Sequence, residues 1–145
     1  MSKFNVNVEH VPSYQEYTIT SSQLRELLNR TYPGIQIHLW DRAYWYISHA
    51  DWGKVFKDVL NNFPKYTAER FDCENYAMLC SARVSEKYKL NTCGICIGDS
   101  PMGWHGYNVF LSAGMTLDIL EPQTGMVYHS DEDSGYIPKL VIFGG

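Results

Sequence analysis

Between Thr92 and Phe143 the chain carries four β-forming segments in succession, and no other feature restricts its fold as much. "TCGICIG", "WHGYNVFLS", "MTLDILE" and "YIPKLVIF" are rich in Val, Ile, Thr, Tyr and Phe, and Gly, Pro and Ser punctuate them. Upstream, helical signals dominate. In "TSSQLRELLNRTYPG", Thr20 precedes Gln23 by three places, a capping-box pattern. Leu24, Leu27 and Leu28 supply its apolar stripe, and Pro33-Gly34 stop it. Ser48 with Asp51 is a second cap, followed by Trp52, Val55, Phe56, Val59, Leu60 and Phe63 at helical spacing up to Pro64. A third helix is expected from Asp72 to about Lys89.

Shorter extended pieces fill the gaps. Phe4, Val6 and Val8 alternate with polar residues, and "YQEYTIT" reads as another strand. "IQIHLW" and "AYWYIS" read as two extended segments around a tight turn at Asp41-Arg42. With helices early and strands late, the expected class is α+β: N-terminal helices packed on a C-terminal antiparallel sheet, one domain over residues 1–145.

Composition excludes some functions. The formal charge of −4, with no basic patch, argues against nucleic acid as a partner. No apolar run has the length of a membrane span, and "MSKFNVNVEHV" reads as neither signal peptide nor anchor. The expected compartment is the cytoplasm, with a virion or release on lysis as other routes. The four cysteines are then expected as reduced thiols. Oligomeric state is not legible.

Chemistry concentrates at "RFDCENYAMLCSARV". Cys73 follows a capping Asp72, in the first helical turn, where free amides and the helix dipole favour a thiolate. Asp72 and Glu74 flank it and oppose that effect. The competing reading is structural, since Cys73, Ala77, Cys80 and Val84 form one helical stripe. A nucleophilic cysteine needs a base, and His105 is the best placed of five histidines, in "GWHGYNVFLSAGMTLDILEPQTG". A three-residue loop at Ser112, Ala113 and Gly114 would pair Leu111 with Met115, Asn108 with Asp118 and His105 with Glu121. A two-residue loop would set His105 opposite Pro122, still beside Glu121. Glu121 could then orient the imidazole. Tyr66, Thr67 and the Cys73 amide are candidate oxyanion donors.

The motifs "FDCENYA", "HGYNVF" and "EPQTG" resemble two groups in the papain-like and transglutaminase-like cysteine protease superfamily. They are the bacterial transglutaminase-like proteinases and, more closely, the C-terminal protease domain of the mushroom agglutinins. The resemblance covers about residues 70–125. It implies a papain-like fold and a cysteine hydrolase acting on peptide or protein substrates, with Cys73 as nucleophile, His105 as base and Glu121 as orienter. It also implies a calcium or manganese ion, with Asp72, Glu74 and Asn108 as ligands. Asn75 stands where the family usually has an acid, which removes one ligand.

Other signals point elsewhere. "CGIC" at 93–96 is discounted as a metal or redox motif, because residues three apart on a strand face opposite ways. "SDEDSGY" at 130–136 holds a fragment of a calcium-loop pattern but lacks its closing acid. The alternative function is a catalytically inactive domain that binds a partner or builds an assembly, since fold alone never guarantees activity.

Overall fold

The computed structural model describes residues 10–144, so the strand expected at Phe4–Val8 lies outside the described residues. In chain order the elements are β1 (Tyr17–Thr20), α1 (Ser21–Thr31), β2 (Gln36–Leu39), β3 (Ala43–Tyr46), α2 (His49–Val59) and α3 (Cys73–Tyr88). They continue with β4 (Cys93–Ser100), β5 (Gly103–Ser112), β6 (Thr116–Glu121), β7 (Met126–His129) and β8 (Ile137–Phe143). No helix among the described residues is long and apolar enough to cross a membrane.

The expected arrangement of helices packed on a C-terminal antiparallel sheet needs correction. Strands predominate, and the main sheet is a mixed six-stranded one ordered β2-β8-β4-β5-β6-β7. An N-terminal strand enters it, since β2 runs parallel to β8 with Ile37 opposite Val141. The two segments around Asp41-Arg42 do not pair with each other. β3 pairs instead with β1 in a separate two-stranded sheet. The physical reason is that their apolar side chains find better partners far along the chain. Tyr44, fully buried, sets its ring edge-on to Phe143 and donates its hydroxyl to the Phe143 carbonyl at 3.4 Å.

Local signals act where the residues that make them adjoin. Thr20 Oγ1 accepts the Gln23 N–H at 3.2 Å, and Gln23 Oε1 accepts the Thr20 N–H at 3.0 Å, closing the capping box of α1. Ser48 Oγ accepts the Asp51 N–H at 3.1 Å and opens α2.

Both faces of the sheet are covered. One core gathers α1, β1 and β3 over Tyr107, Val109, Leu111 and Phe143. The other packs Trp52, Val55 and Phe56 of α2 and Cys80 and Val84 of α3 against Phe110 and Leu120. Trp52 is fully buried and its indole N–H donates to the Leu111 carbonyl at 2.7 Å, so its one polar atom is satisfied. Alternation along β4 sends Cys93 into the helix-side core and Cys96 into the other. Burial pushes the Cys96 thiol up to about 12, so neither residue of "CGIC" offers a ready thiolate.

Candidate functional site

The site lies where the start of α3 meets β5. Asp72 caps the helix, and its N–H donates to Asn75 Oδ1 at 3.1 Å. Asn75, read in the sequence as a missing acid, is thus a helix-capping residue. The helix comes down on Gly106, whose missing side chain leaves the room. A Cβ there would stand 2.9 Å from Glu74 Cα and 3.0 Å from Glu74 N. This contact sets the thiol of Cys73 against the strand, where it accepts the Gly106 N–H at 3.3 Å.

β5 and β6 pair in a register displaced by two residues from the expected one. Ser112 faces Thr116 and Phe110 faces Asp118, so the loop is Ala113-Gly114-Met115. Gly114 and Met115 both have positive φ, which fits a tight reversal. A shift of two preserves the face of every side chain. His105 therefore still meets Glu121, diagonally: Nε2 lies 2.6 Å from Oε1, with both residues buried. The same oxygen accepts the Tyr136 hydroxyl at 3.1 Å, and Glu121 Oε2 accepts the Gln123 N–H at 3.3 Å. Burial and then the Glu121 charge push the Tyr136 phenol well above its ordinary range, so it stays a donor.

Cys73, His105 and Glu121 are thus brought together, but the thiol is not paired with the imidazole. Cys73 Sγ donates to Glu74 Oε2 at 3.1 Å. Burial, then Glu74 and Asp72, push the thiol up, against a downward pull from the Gly106 N–H. The Asp72 carboxyl is also pushed up, by burial first and then by Glu74. Burial is the largest of these effects, and with the flanking acids it favours the thiol over the thiolate. Replacing Glu74 with Gln removes the charge that most directly holds the proton. The pKa of Cys73 should fall and its alkylation by iodoacetamide at pH 7.5 should quicken by roughly threefold or more. A rate equal to or below the parent's would show that Glu74 does not control the thiol.

Of the expected cation ligands, Asp72 and Glu74 lie side by side at the helix start. Asn108 turns into the core, where its Nδ2 donates to the Ala77 carbonyl at 3.0 Å and the Gly94 carbonyl at 3.1 Å. Asp72 Oδ2 accepts the Glu69 N–H at 3.2 Å. Among the described residues, no three His, Cys, Asp or Glu side chains surround one point.

Two hollows flank the thiol. A cavity of about 190 Å³ is lined by Cys73, Glu74, Ile97, Trp104, His105 and Gly106. It neighbours an open groove of about 440 Å³ lined by Tyr66, Cys73, Met102, Trp104, His105 and Gln123. Of the candidate oxyanion donors, Tyr66 reaches this groove. Thr67 is held locally, its backbone paired with Phe71 and its hydroxyl 3.5 Å from the Lys65 carbonyl. Trp104, Met102 and Gln123 carry no sequence pattern that marks them, because exposure beside a cleft leaves no periodicity. Tyr136 lies 15 positions from Glu121 and joins it only through the tertiary fold.

No family model matches the chain, and no curated protein matches it. Solved structures do. A structure described as the PSL1a–E64 complex matches with a TM-score of 0.69 and 23% identity, over 87% of this chain and 50% of that one. The lectin of Polyporus squamosus, bound to the human-type influenza-binding epitope Neu5Acα2-6Galβ1-4GlcNAc, matches at 0.70 and 21%, over 87% and 49%. The chain shares its fold with half of a lectin chain.

These matches correct the papain-like and transglutaminase-like fold assignment, and the peptide-cleaving reading loses the support it drew from that assignment. The fold is one found in a lectin. Within the site, the thiol donates to Glu74 and shares its cavity wall with His105. Cys73 and His105 line one site with Glu121 behind the imidazole, and the expectation of a peptide or protein substrate loses the support it drew from the protease assignment.

Proposed function

We propose that this chain is a binding domain that takes a neutral saccharide in the groove beside Cys73. The observation that carries the reading is a rim of three large, exposed, apolar side chains around that groove: Trp104 at 66%, Met102 at 68% and Tyr66 at 56%. Exposed apolar side chains gathered at one concavity mark ligand grooves, whereas scattered ones mean nothing. An indole face suits the C–H face of a pyranose, and polar groups then fix its hydroxyls. Gln123, His105 and the Cys73 thiol supply such groups along the same wall.

Charge selects among sugars. Glu74 lines the cavity that adjoins the groove, so a carboxylated sugar would meet like charge there. The epitope held by the Polyporus lectin carries a sialic acid. For this chain its neutral part, Galβ1-4GlcNAc, is the better ligand. In a calorimetric titration, Galβ1-4GlcNAc should bind at least as tightly as the sialylated trisaccharide. Trp104→Ala should weaken it about tenfold, the loss expected when one anchoring aromatic is truncated. Binding unchanged in Trp104→Ala would remove the groove from the account.

A further inference from the structure

A second cluster of chemistry-bearing side chains lies apart from the groove, where three elements meet. Asp118 of β6 is 1% exposed, and its Oδ2 has no hydrogen-bond partner among the described residues. Oδ1 accepts the Ser130 N–H at 3.2 Å. Two half-exposed imidazoles cover this carboxylate. His49, the first residue of α2, sets Nδ1 3.5 Å from Oδ2. His129, directly opposite Asp118 on β7, sets Nδ1 3.4 Å from Oδ1. The two rings lie 5.6 Å apart, tilted by 34°, and the His49 ring stacks on Phe110 at 6.0 Å.

A buried carboxylate beneath two imidazoles has a recognised use. When Nδ1–H points at a carboxylate, the ring is held in one tautomer and Nε2 presents its lone pair outward. Here each Nδ1 stands at ion-pair distance from the carboxylate, 3.5 Å for His49 and 3.4 Å for His129, which turns Nδ1 toward Asp118 and leaves Nε2 on the far side of the ring. Two imidazoles bound through nitrogen to one tetrahedral ion, at about 2.0–2.1 Å, hold their ring centres about 5 Å apart. The observed separation is close to that. The acidic turn Asp131-Glu132-Asp133 follows His129 directly, and all three residues are exposed. It lowers the local potential in favour of a cation. Glu132 Oε1 accepts the His129 N–H at 2.6 Å, which ties the turn to the cluster.

We infer that His49 and His129 form a two-imidazole site for a borderline divalent cation such as Ni²⁺ or Zn²⁺, oriented by the buried carboxylate of Asp118. The protein supplies two ligands and an outer-shell acid, and water completes the coordination. This accounts for a buried carboxylate kept beneath two histidines. Imidazole donors and their geometry select nickel, copper or zinc over calcium.

The test uses the full chain carrying Cys73→Ser, which removes the thiol as a rival ligand. Ni²⁺ is titrated by calorimetry into this chain and into its His49→Gln, His129→Gln and Asp118→Asn variants, with circular dichroism to confirm folding. One Ni²⁺ per chain is expected. Each histidine variant should weaken binding at least tenfold, and Asp118→Asn by roughly tenfold, as outer-shell changes do. His49 and His129 are largely exposed, so their variants are expected to fold and decide the matter even if Asp118→Asn does not. Absence of saturable binding, or binding that survives both histidine substitutions, overturns the inference.

Discussion

Gly106→Ala is expected to lower the unfolding midpoint by roughly 8 °C and to open the site at the same time. The added Cβ would stand 2.9 Å from Glu74 Cα, 3.0 Å from Glu74 N and 3.3 Å from the Cys73 carbonyl carbon. All three are backbone atoms of the first turn of α3, so no side chain can swing aside. Relief requires the helix start to lift from β5, and overpacking of this kind costs about 2–3 kcal/mol. In a chain of this length that corresponds to the stated shift in midpoint. The same movement takes Cys73 Sγ away from the Gly106 N–H, the one contact that pulls the thiol's pKa down. Thermal unfolding measures the first effect and saccharide titration the second. A midpoint within about 2 °C of the parent would show that α3 does not bear on β5 as described.

Glu121→Ala should be of similar size, for a different reason. Its carboxylate serves the buried His105 ring and Tyr136 hydroxyl and the part-buried Gln123 N–H. Truncation leaves these groups without an acceptor, and each buried donor so stranded costs about 1–3 kcal/mol. The sum is reduced because Gln123 is exposed and can turn to solvent. A net loss of about 3 kcal/mol is expected by urea unfolding, with the slope unchanged. The His105 ring would also lose its orientation, so ligand affinity at the groove should fall with stability. A loss below about 1 kcal/mol would mean that the network contributes little.

Much of the fold is legible where the decisive residues are neighbours in sequence. The α1 capping box needs only Thr20 and Gln23, and α2 opens at Ser48 as its cap predicts. The start of α3 follows from Asp72. Legibility fails where partners are distant. β2 and β3 look like a hairpin because a polar pair separates them, yet β2 closes on β8 about a hundred residues later. The main sheet is mixed for that reason.

At the site, the meeting of His105 and Glu121 is foreseeable because a two-residue error in register leaves faces unchanged. What eludes sequence reasoning is the destination of each polar atom. Asn108 carries an amide that could ligate a cation, but its face of β5 points it at the Ala77 and Gly94 carbonyls. Asn75 reads as a lost ligand and acts as a cap. The hydrolase expectation credits Cys73 with the helix dipole. It underrates Glu74, one position away, whose carboxylate takes the thiol proton's hydrogen bond. Trp104 and Tyr66 acquire meaning only once folding leaves both exposed around one hollow.

The central claim is that this hollow is where ligand binds. It is tested most directly by titrating Galβ1-4GlcNAc into isotopically labelled chain and following amide and indole resonances. Saturable shifts are predicted at the Trp104 indole, His105, Gly106 and Gln123, with His49 and His129 unmoved. Shifts confined to other surfaces, or none at millimolar saccharide, would contradict the account.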